Sequence, residues 1–176
     1  NSYQGVEVYA APQRRFTWGL GYHQFRNKSE YNGCLGTDAL RIWTVGLGYQ
    51  FTPTLRLQAA YAKEVAGSTA EQQSECEYDV AARMYAGSVE LDYKLADPLR
   101  KGSFGLFAAY RHLGEYAALA PTYDAVRPGN QGWEIGGQYV FAKNVVGTLK
   151  YFRGKFLNSN DDKYKAEAAS TIFGRL

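Results

Sequence analysis

The chain has 176 residues, and its 20 basic and 17 acidic residues leave a net charge of +3, a balance that argues against nucleic-acid binding. It contains no run of about eighteen apolar residues, which excludes a transmembrane helix but leaves a membrane-spanning barrel open. The 15 Tyr and 19 Gly, with a single Met, suit strands that carry aromatic belts and small inward residues.

The first predicted elements are strands separated by a turn and a loop. Residues 6–10 alternate between apolar and polar, and residues 13–15 are predicted to form a turn. Residues 16–23 alternate strictly, with a large apolar side chain at every second position. Because successive side chains of a strand point to opposite faces, this pattern predicts β-structure. The polar stretch at 26–38 is predicted to be a loop.

The middle of the chain continues the same pattern. Four further strands are predicted, at residues 43–51, 55–62, 85–95 and 104–111. The turn at Pro53 is tight, and the connection around Pro98 is of moderate length. A second long polar segment, residues 64–82, separates the first pair of strands from the second.

The clearest pattern is a hairpin over residues 132–156, which follows a third long segment at 112–131. Two strands of about ten residues alternate strictly around a turn at residues 142–144. Globular strands average about five or six residues, whereas a tilted strand needs about ten to cross a bilayer. A last strand is predicted from Thr171 to Leu176.

The connections therefore alternate between short turns and long polar loops, as in outer-membrane barrels with short periplasmic turns and long extracellular loops. The pattern predicts an all-β, transmembrane, antiparallel up-and-down β-barrel with about nine strands in this chain. An odd number of strands would leave open edges in lipid, so we expect residues 1–176 to be the C-terminal portion of a single larger barrel domain. A barrel assembled from several chains and a soluble β-sandwich or lipocalin-like barrel are the alternatives.

Large aromatic residues cluster at both ends of the apolar positions, and aliphatic residues such as Leu20 and Leu149 lie between them. This arrangement predicts two lipid-facing aromatic belts at the membrane interfaces. At the long-loop end the predicted belt consists of Tyr22, Trp43, Tyr61, Tyr85, Tyr110, Trp133 and Tyr151. At the short-turn end it consists of Phe16, Tyr49, Phe51, Tyr93, Phe104, Tyr139 and Phe141.

The opposite positions of the same strands are polar or small, which predicts a water-filled interior. The predicted pore-lining residues are Thr44, Gln50, Arg56, Gln58, Glu90, Asp92, Lys94, Arg111, Glu134, Gln138, Thr148 and Lys150. Both charge signs are present, so the sequence leaves the ion preference open.

Catalysis has little support in the sequence. Neither His23 nor His112 accompanies a nucleophile motif, so we predict no enzymatic activity, no cofactor and no metal site, with a barrel-embedded hydrolase as the alternative. Cys34 and Cys76 fall in successive long loops on the same side of the predicted barrel. A disulfide between them is expected in an oxidising compartment.

Three segments resemble the porins of diderm Firmicutes that carry an S-layer-homology domain: GSFGLFAAYRHLGEYA from Gly102, GNQGWEIGGQYVFAKNVVGTLKYFRGK from Gly129, and the terminal TIFGRL. The resemblance covers residues 102–176 well and the earlier strands by pattern only. It implies a homotrimeric barrel of about sixteen strands in the cell outer membrane, with the long loops extracellular and the short turns and C-terminus periplasmic.

The same resemblance implies passive diffusion of small hydrophilic solutes and ions. It also implies tethering of the outer membrane to peptidoglycan through an N-terminal S-layer-homology domain and a helical stalk. These two parts and the first strands of the barrel are expected upstream of Asn1. The sequence departs from the family at its terminal strand, which stops at Leu176 before the aromatic end that such barrels usually show. A structural membrane anchor with a plugged barrel is the alternative function.

Overall fold

The computed structural model describes residues 2–13, 15–26, 39–65, 80–118, 123–157 and 168–176. Over these ranges the chain forms nine strands and one short helix. The strands are β1 (Ser2–Gln13), β2 (Phe16–Arg26), β3 (Ala39–Thr52), β4 (Leu55–Glu64), β5 (Tyr85–Tyr93), β6 (Phe104–Leu113), β7 (Asn130–Ala142), β8 (Val145–Phe156) and β9 (Ala168–Arg175), and the helix is α1 (Val80–Arg83). No helix in these ranges is long and apolar enough to cross a membrane.

The nine strands form one sheet in which sequence order is also spatial order, from β1 to β9. Every neighbouring pair is antiparallel. This confirms the predicted all-β, up-and-down meander. Within the described residues, β1 and β9 each have a strand neighbour on one side, so the sheet is open at both edges.

The hairpin turn between β7 and β8 is tighter than the sequence predicted. Ala142 lies inside β7 and pairs with Val145, so the turn consists of Lys143 and Asn144 alone. Asn144 has φ 63°, in the left-handed region, which asparagine enters at less cost than most other residues. Between Val140 and Ala142 the register of β7 against β8 shifts by one residue, as in a β-bulge.

The end of β5 also differs from the prediction, which extended this strand to Leu95. The strand ends at Tyr93 because Lys94 has φ 60°, which breaks the extended conformation. The backbone N–H of Lys94 donates to the carbonyl of Thr54, 2.6 Å away. This bond ties the β5–β6 connection to the neighbouring β3–β4 turn.

Most of the other boundaries shift outward. β1 extends to Gln13 through Pro12, at an irregular stretch of an edge strand, where the missing proline N–H costs no ladder bond. β9 begins at Ala168, before the predicted start at Thr171. Because β6 and β7 are longer than predicted, the connection between them shortens to residues 114–129.

Alternation divides the sheet into two faces, defined here by β7. The apolar face carries Trp133, Ile135 and Tyr139, and the polar face carries Glu134 and Gln138. The chain between β6 and β7, described at residues 114–118 and 123–129 and called the inner segment below, folds back onto the polar face. There it forms a small buried cluster composed of Ala86, Leu113, Ala117, Ala125, Val126 and Phe152.

Candidate functional site

The polar face brings the predicted pore-lining residues together. All of them except Lys94 lie inside strands, and the strand pairing places them on this one face. Lys94 follows the end of β5, where its ammonium lies 4.6 Å from the centroid of the Phe104 ring. Because directly paired residues of an antiparallel ladder share a face, the charges form rows across neighbouring strands.

One such row joins Gln50 of β3, Arg56 of β4 and Asp92 of β5. Arg56 Nε donates to Asp92 Oδ2 at 3.1 Å, and Gln58 Nε2 donates to the same oxygen at 2.9 Å. Asp92 is buried, whereas Arg56 is about one-third exposed. The Asp92 carboxylate therefore accepts from one charged donor, Arg56, and one neutral donor, Gln58.

Arg111 of β6 is one of the most enclosed charges of the polar face, with a side chain 3% exposed. Its Nε donates to Glu134 Oε2 at 2.5 Å, its Nη1 donates to Ser88 Oγ at 2.6 Å, and its Nη2 donates to Glu90. Each nitrogen of the guanidinium thus has an oxygen partner on β5 or β7. Glu134 is fully buried beside it, and such a buried charge needs its partner.

The inner segment covers this charge cluster. The guanidinium carbon of Arg111 lies 3.8 Å from the centroid of the Tyr123 ring, a cation–π contact. Lys150 Nζ of β8 donates to Asp124 Oδ2 at 2.7 Å. This hydrogen bond lowers the pKa of the Asp124 carboxyl below its ordinary value. Ala125 and Val126, the next two residues, are buried in the apolar cluster.

Lys150 lies six residues before the end of β8 at Phe156, which corresponds to about 20 Å along a strand. The contact with Asp124 therefore holds the inner segment deep on the polar face and not at the sheet end. Glycines allow the chain to leave β6 and enter β7 in this direction. A Cβ on Gly114 would lie 2.2 Å from the carbonyl oxygen of Tyr85, and Gly129 has φ +80°.

The polar face of β2, β3 and β4 is left open by the inner segment. Its central positions are small residues: Gly19, Gly21, Gly46, Gly48, Ala60 and Ala62. A space of ≈ 780 Å³ lies over this floor. Its lining includes Glu7, Tyr9, His23, Gln58, Glu90 and Tyr123.

His23 of β2 also lies on the polar face and connects three other side chains. Its Nδ1 lies 2.9 Å from the Tyr3 hydroxyl, and its Nε2 lies 3.3 Å from Glu7 Oε1. Thr44 Oγ1 approaches the same Nε2 at 3.4 Å. In a catalytic triad the nucleophile and the carboxylate contact different ring nitrogens, so Thr44, His23 and Glu7 do not have that geometry.

His112, the first residue of the long segment predicted at 112–131, instead lies inside β6 and is buried on the apolar face. Its ring stacks on Tyr85 with centroids 4.2 Å apart and planes at 1°. Its Nε2 lies 2.7 Å from the carbonyl oxygen of Ala82, in α1. This histidine therefore anchors α1 against the end of the sheet. Within the described ranges, His, Asp and Glu do not gather in groups of three that would hold a metal ion.

The aromatic residues predicted to form two belts lie on the apolar face near the strand ends. At the long-loop end, Tyr22 contacts Trp43 with ring centroids 4.9 Å apart, and Tyr110 contacts Trp133 at 5.3 Å. At the other end, Tyr139 and Phe141 contact each other at 5.0 Å. The belt rings thus stabilise one another through ring–ring contacts, both between neighbouring strands and within one strand.

Several residues of the polar face were not singled out from the sequence. Ser88, Tyr3, Tyr9 and Glu7 fit the alternation of their strands, so this pattern carried a signal that would have found them. The sequence carried no such signal for Tyr123 and Asp124, because they lie in a connection without periodicity. Cys34 and Cys76 lie outside the described residues, so the expected disulfide stays a prediction. Comparison with protein-family models and with curated proteins found no match for this chain.

Proposed function

We propose that this sheet is part of the wall of an outer-membrane β-barrel, and that the barrel conducts small hydrophilic solutes and ions by passive diffusion. The observation that carries the proposal is the contrast between the two faces of one continuous sheet. One face exposes large apolar side chains, and the other holds paired charges.

The apolar face is too extensive for a face in contact with water. From β2 to β8 each strand exposes at least one large apolar residue there, for example Leu20, Leu47, Tyr61, Leu91, Leu106, Ile135 and Leu149. The largest contiguous apolar patch on a typical soluble monomer is about 300–600 Å². Lipid chains would cover this face, and the aromatic rings at both strand ends would lie at the two membrane interfaces.

The polar face requires water or protein on its other side. Glu7 and Arg56 are partly exposed there, and an unpaired charge in hydrocarbon is costly. The ion pairs of Arg56 with Asp92 and of Lys150 with Asp124 leave polar edges that water can solvate. A water-filled interior satisfies both the exposed charges and the small-residue floor.

The edges of the sheet set a condition on the barrel. Because every neighbouring pair is antiparallel, β1 and β9 run in the same direction. An antiparallel barrel then closes only through an odd number of further strands beside them. Unpaired backbone groups in lipid cost several kcal/mol each, so the proposed barrel includes such strands. The resemblance to porins with S-layer-homology domains adds a homotrimer and a peptidoglycan tether to the proposal.

The inner segment would narrow the channel on one side. It covers the polar face from β5 to β8, where Ala125 and Val126 contact the wall and Tyr123 lies over Arg111. The path for solutes would then run over the glycine and alanine floor of β2, β3 and β4. That floor lacks large side chains in the described part of the chain, and the space of ≈ 780 Å³ lies above it.

A barrel that is plugged and serves mainly as a membrane anchor is the second candidate, and the inward fold of the same segment favours it. Single-channel recording of the full-length protein in planar bilayers separates the two functions. A steady open-channel current that scales with salt concentration supports the diffusion channel. A membrane-inserted protein without such a current would contradict it and favour the anchor.

A further inference from the structure

The polar face carries two exposed tyrosine rings on β1, the strand at the open edge beside β2. Tyr9 is 72% exposed and Tyr3 is 57% exposed, and both lie on the same face as Glu7. The exposed aromatic residues of β2 to β8, in contrast, lie mainly on the apolar face. We propose that this part of the wall is a binding site for pyranose sugars on the solute path, an inference that rests on the channel function proposed above.

The two rings are held in fixed positions by hydrogen bonds at their hydroxyl ends. The Tyr9 hydroxyl donates to Glu7 Oε2, and Glu7 Oε1 lies 3.3 Å from His23 Nε2. The other nitrogen of His23 lies 2.9 Å from the Tyr3 hydroxyl. One chain of contacts thus connects both phenol groups. Rings held in place before binding lose little conformational entropy when a ligand stacks on them.

The backbone beneath the rings leaves them room to lie flat. A Cβ on Gly19 would come 2.8 Å from Tyr9 Cδ1, and a Cβ on Gly5 would come 2.4 Å from the Tyr3 hydroxyl oxygen. Tyr3 also contacts Phe25 with ring centroids 4.7 Å apart. Both rings therefore lie against glycines on the wall, and Tyr9 also lines the open space.

Polar groups beside this platform, and others farther along the same space, match the hydroxyls of a saccharide. Glu7 and His23 lie beside Tyr9, and Gln58 and Glu90 line the same space of ≈ 780 Å³ from β4 and β5. A pyranose has an apolar C–H face that buries area on an aromatic ring and a rim of hydroxyls that donates to carboxylates and amides. An open-chain polyol has similar hydroxyls but no rigid apolar face. The chemistry therefore favours a cyclic saccharide.

The test uses the full-length protein in planar bilayers, with maltohexaose added to the salt solution and sorbitol as the open-chain control. We expect maltohexaose to interrupt the open-channel current in a concentration-dependent manner, while sorbitol changes it only through viscosity. Tyr9→Ala should raise the half-blocking concentration of maltohexaose about threefold to tenfold, the range expected for one aromatic contact. Tyr9→Phe keeps the ring and should retain most of the block.

Tyr139→Ala is the control, because it removes an exposed tyrosine from the apolar face. It should leave the block unchanged in channels that insert. A steady current that maltohexaose does not interrupt, or a block that Tyr9→Ala leaves intact, would overturn the sugar site while the channel function stands. Absence of any current in the wild-type protein would instead overturn the channel function and, with it, this inference.

Discussion

The ring of Tyr123 covers the guanidinium of Arg111, with the ring centroid 3.8 Å from the guanidinium carbon. The nitrogens of Arg111 donate to Glu134, Ser88 and Glu90 on the polar face of the sheet. A buried charge of the sheet is thereby also the contact point of the inner segment. Arg111 thus links strands β5 and β7 to the inner segment, which covers part of the polar face.

A charge reversal tests whether the ion pair between Lys150 and Asp124 holds the inner segment in place. Lys150→Asp places two carboxylates together, and Asp124→Lys places two ammonium groups together, so each should release the segment and increase single-channel conductance. The double variant, Lys150→Asp with Asp124→Lys, restores an opposite-charge pair. We expect its conductance to return toward the wild-type value. A double variant as conductive as the two single variants would contradict this role of the pair.

Acid should weaken the same contact, but only at low pH. The hydrogen bond from Lys150 lowers the pKa of Asp124 in the folded protein relative to the unfolded chain. The stabilisation is therefore complete above the unfolded pKa, about 3.9, and is lost as the pH falls through the lower folded pKa. Asp124→Asn should show at neutral pH the conductance that the wild type reaches only in strong acid. A wild-type transition near neutral pH would contradict this assignment.

Removing Arg111 should destabilise the sheet more than removing Arg56. Arg111→Leu leaves Glu134, which is 0% exposed, as a buried charge without its partner, a change that typically costs about 3–5 kcal/mol. Arg56 is about one-third exposed, and Arg56→Leu should cost about 1 kcal/mol or less. Urea unfolding of the protein in lipid vesicles, followed by tryptophan fluorescence, measures both. If both variants lost the same free energy of unfolding, burial would not determine how much each ion pair contributes to stability.

A charge on the apolar face of β7 tests the membrane orientation of the sheet. Ile135→Arg should lower the free energy of unfolding in lipid vesicles by about 2–4 kcal/mol, because it places a charge toward the middle of the bilayer. Gln138→Arg is the control, since it adds the same charge to the polar face of the same strand and should cost far less. If the two variants lost equal stability, the apolar face would not be the lipid-facing one.

The strand pattern could be predicted from the sequence because alternation is a local property. Leu47 and Leu91 lie on the apolar face, and Gln58 and Glu90 lie on the polar face, as the two-residue period required. A register shift by one residue would exchange the faces of a whole strand, so this pattern strongly constrains the pairing. The meander from β1 to β9 was predicted from the alternation of short turns and long polar loops, which is typical of up-and-down barrels.

The strand ends were predicted less accurately than the strands themselves, because each end depends on the backbone conformation of a single residue. The left-handed φ of Lys94 ended β5 early, and that of Asn144 reduced the β7–β8 turn to two residues. Lys94 donates to Thr54, a residue far away in the sequence, so its conformation is supported by a contact that alternation does not describe. Period-two patterns identify strands but not the bonds that end them.

The sequence by itself determined the two faces, since these follow from side chains that are neighbours along the chain, and the nine-stranded order, since this follows from the alternation of short turns and long loops. Only the tertiary structure decided that the inner segment turns onto the polar face. Ala125 and Val126 are small apolar residues without periodicity, and their burial depends on Leu113 and Phe152 from two different strands. The contacts of Tyr123 with Arg111 and of Asp124 with Lys150 likewise join residues that only the folded sheet brings within reach.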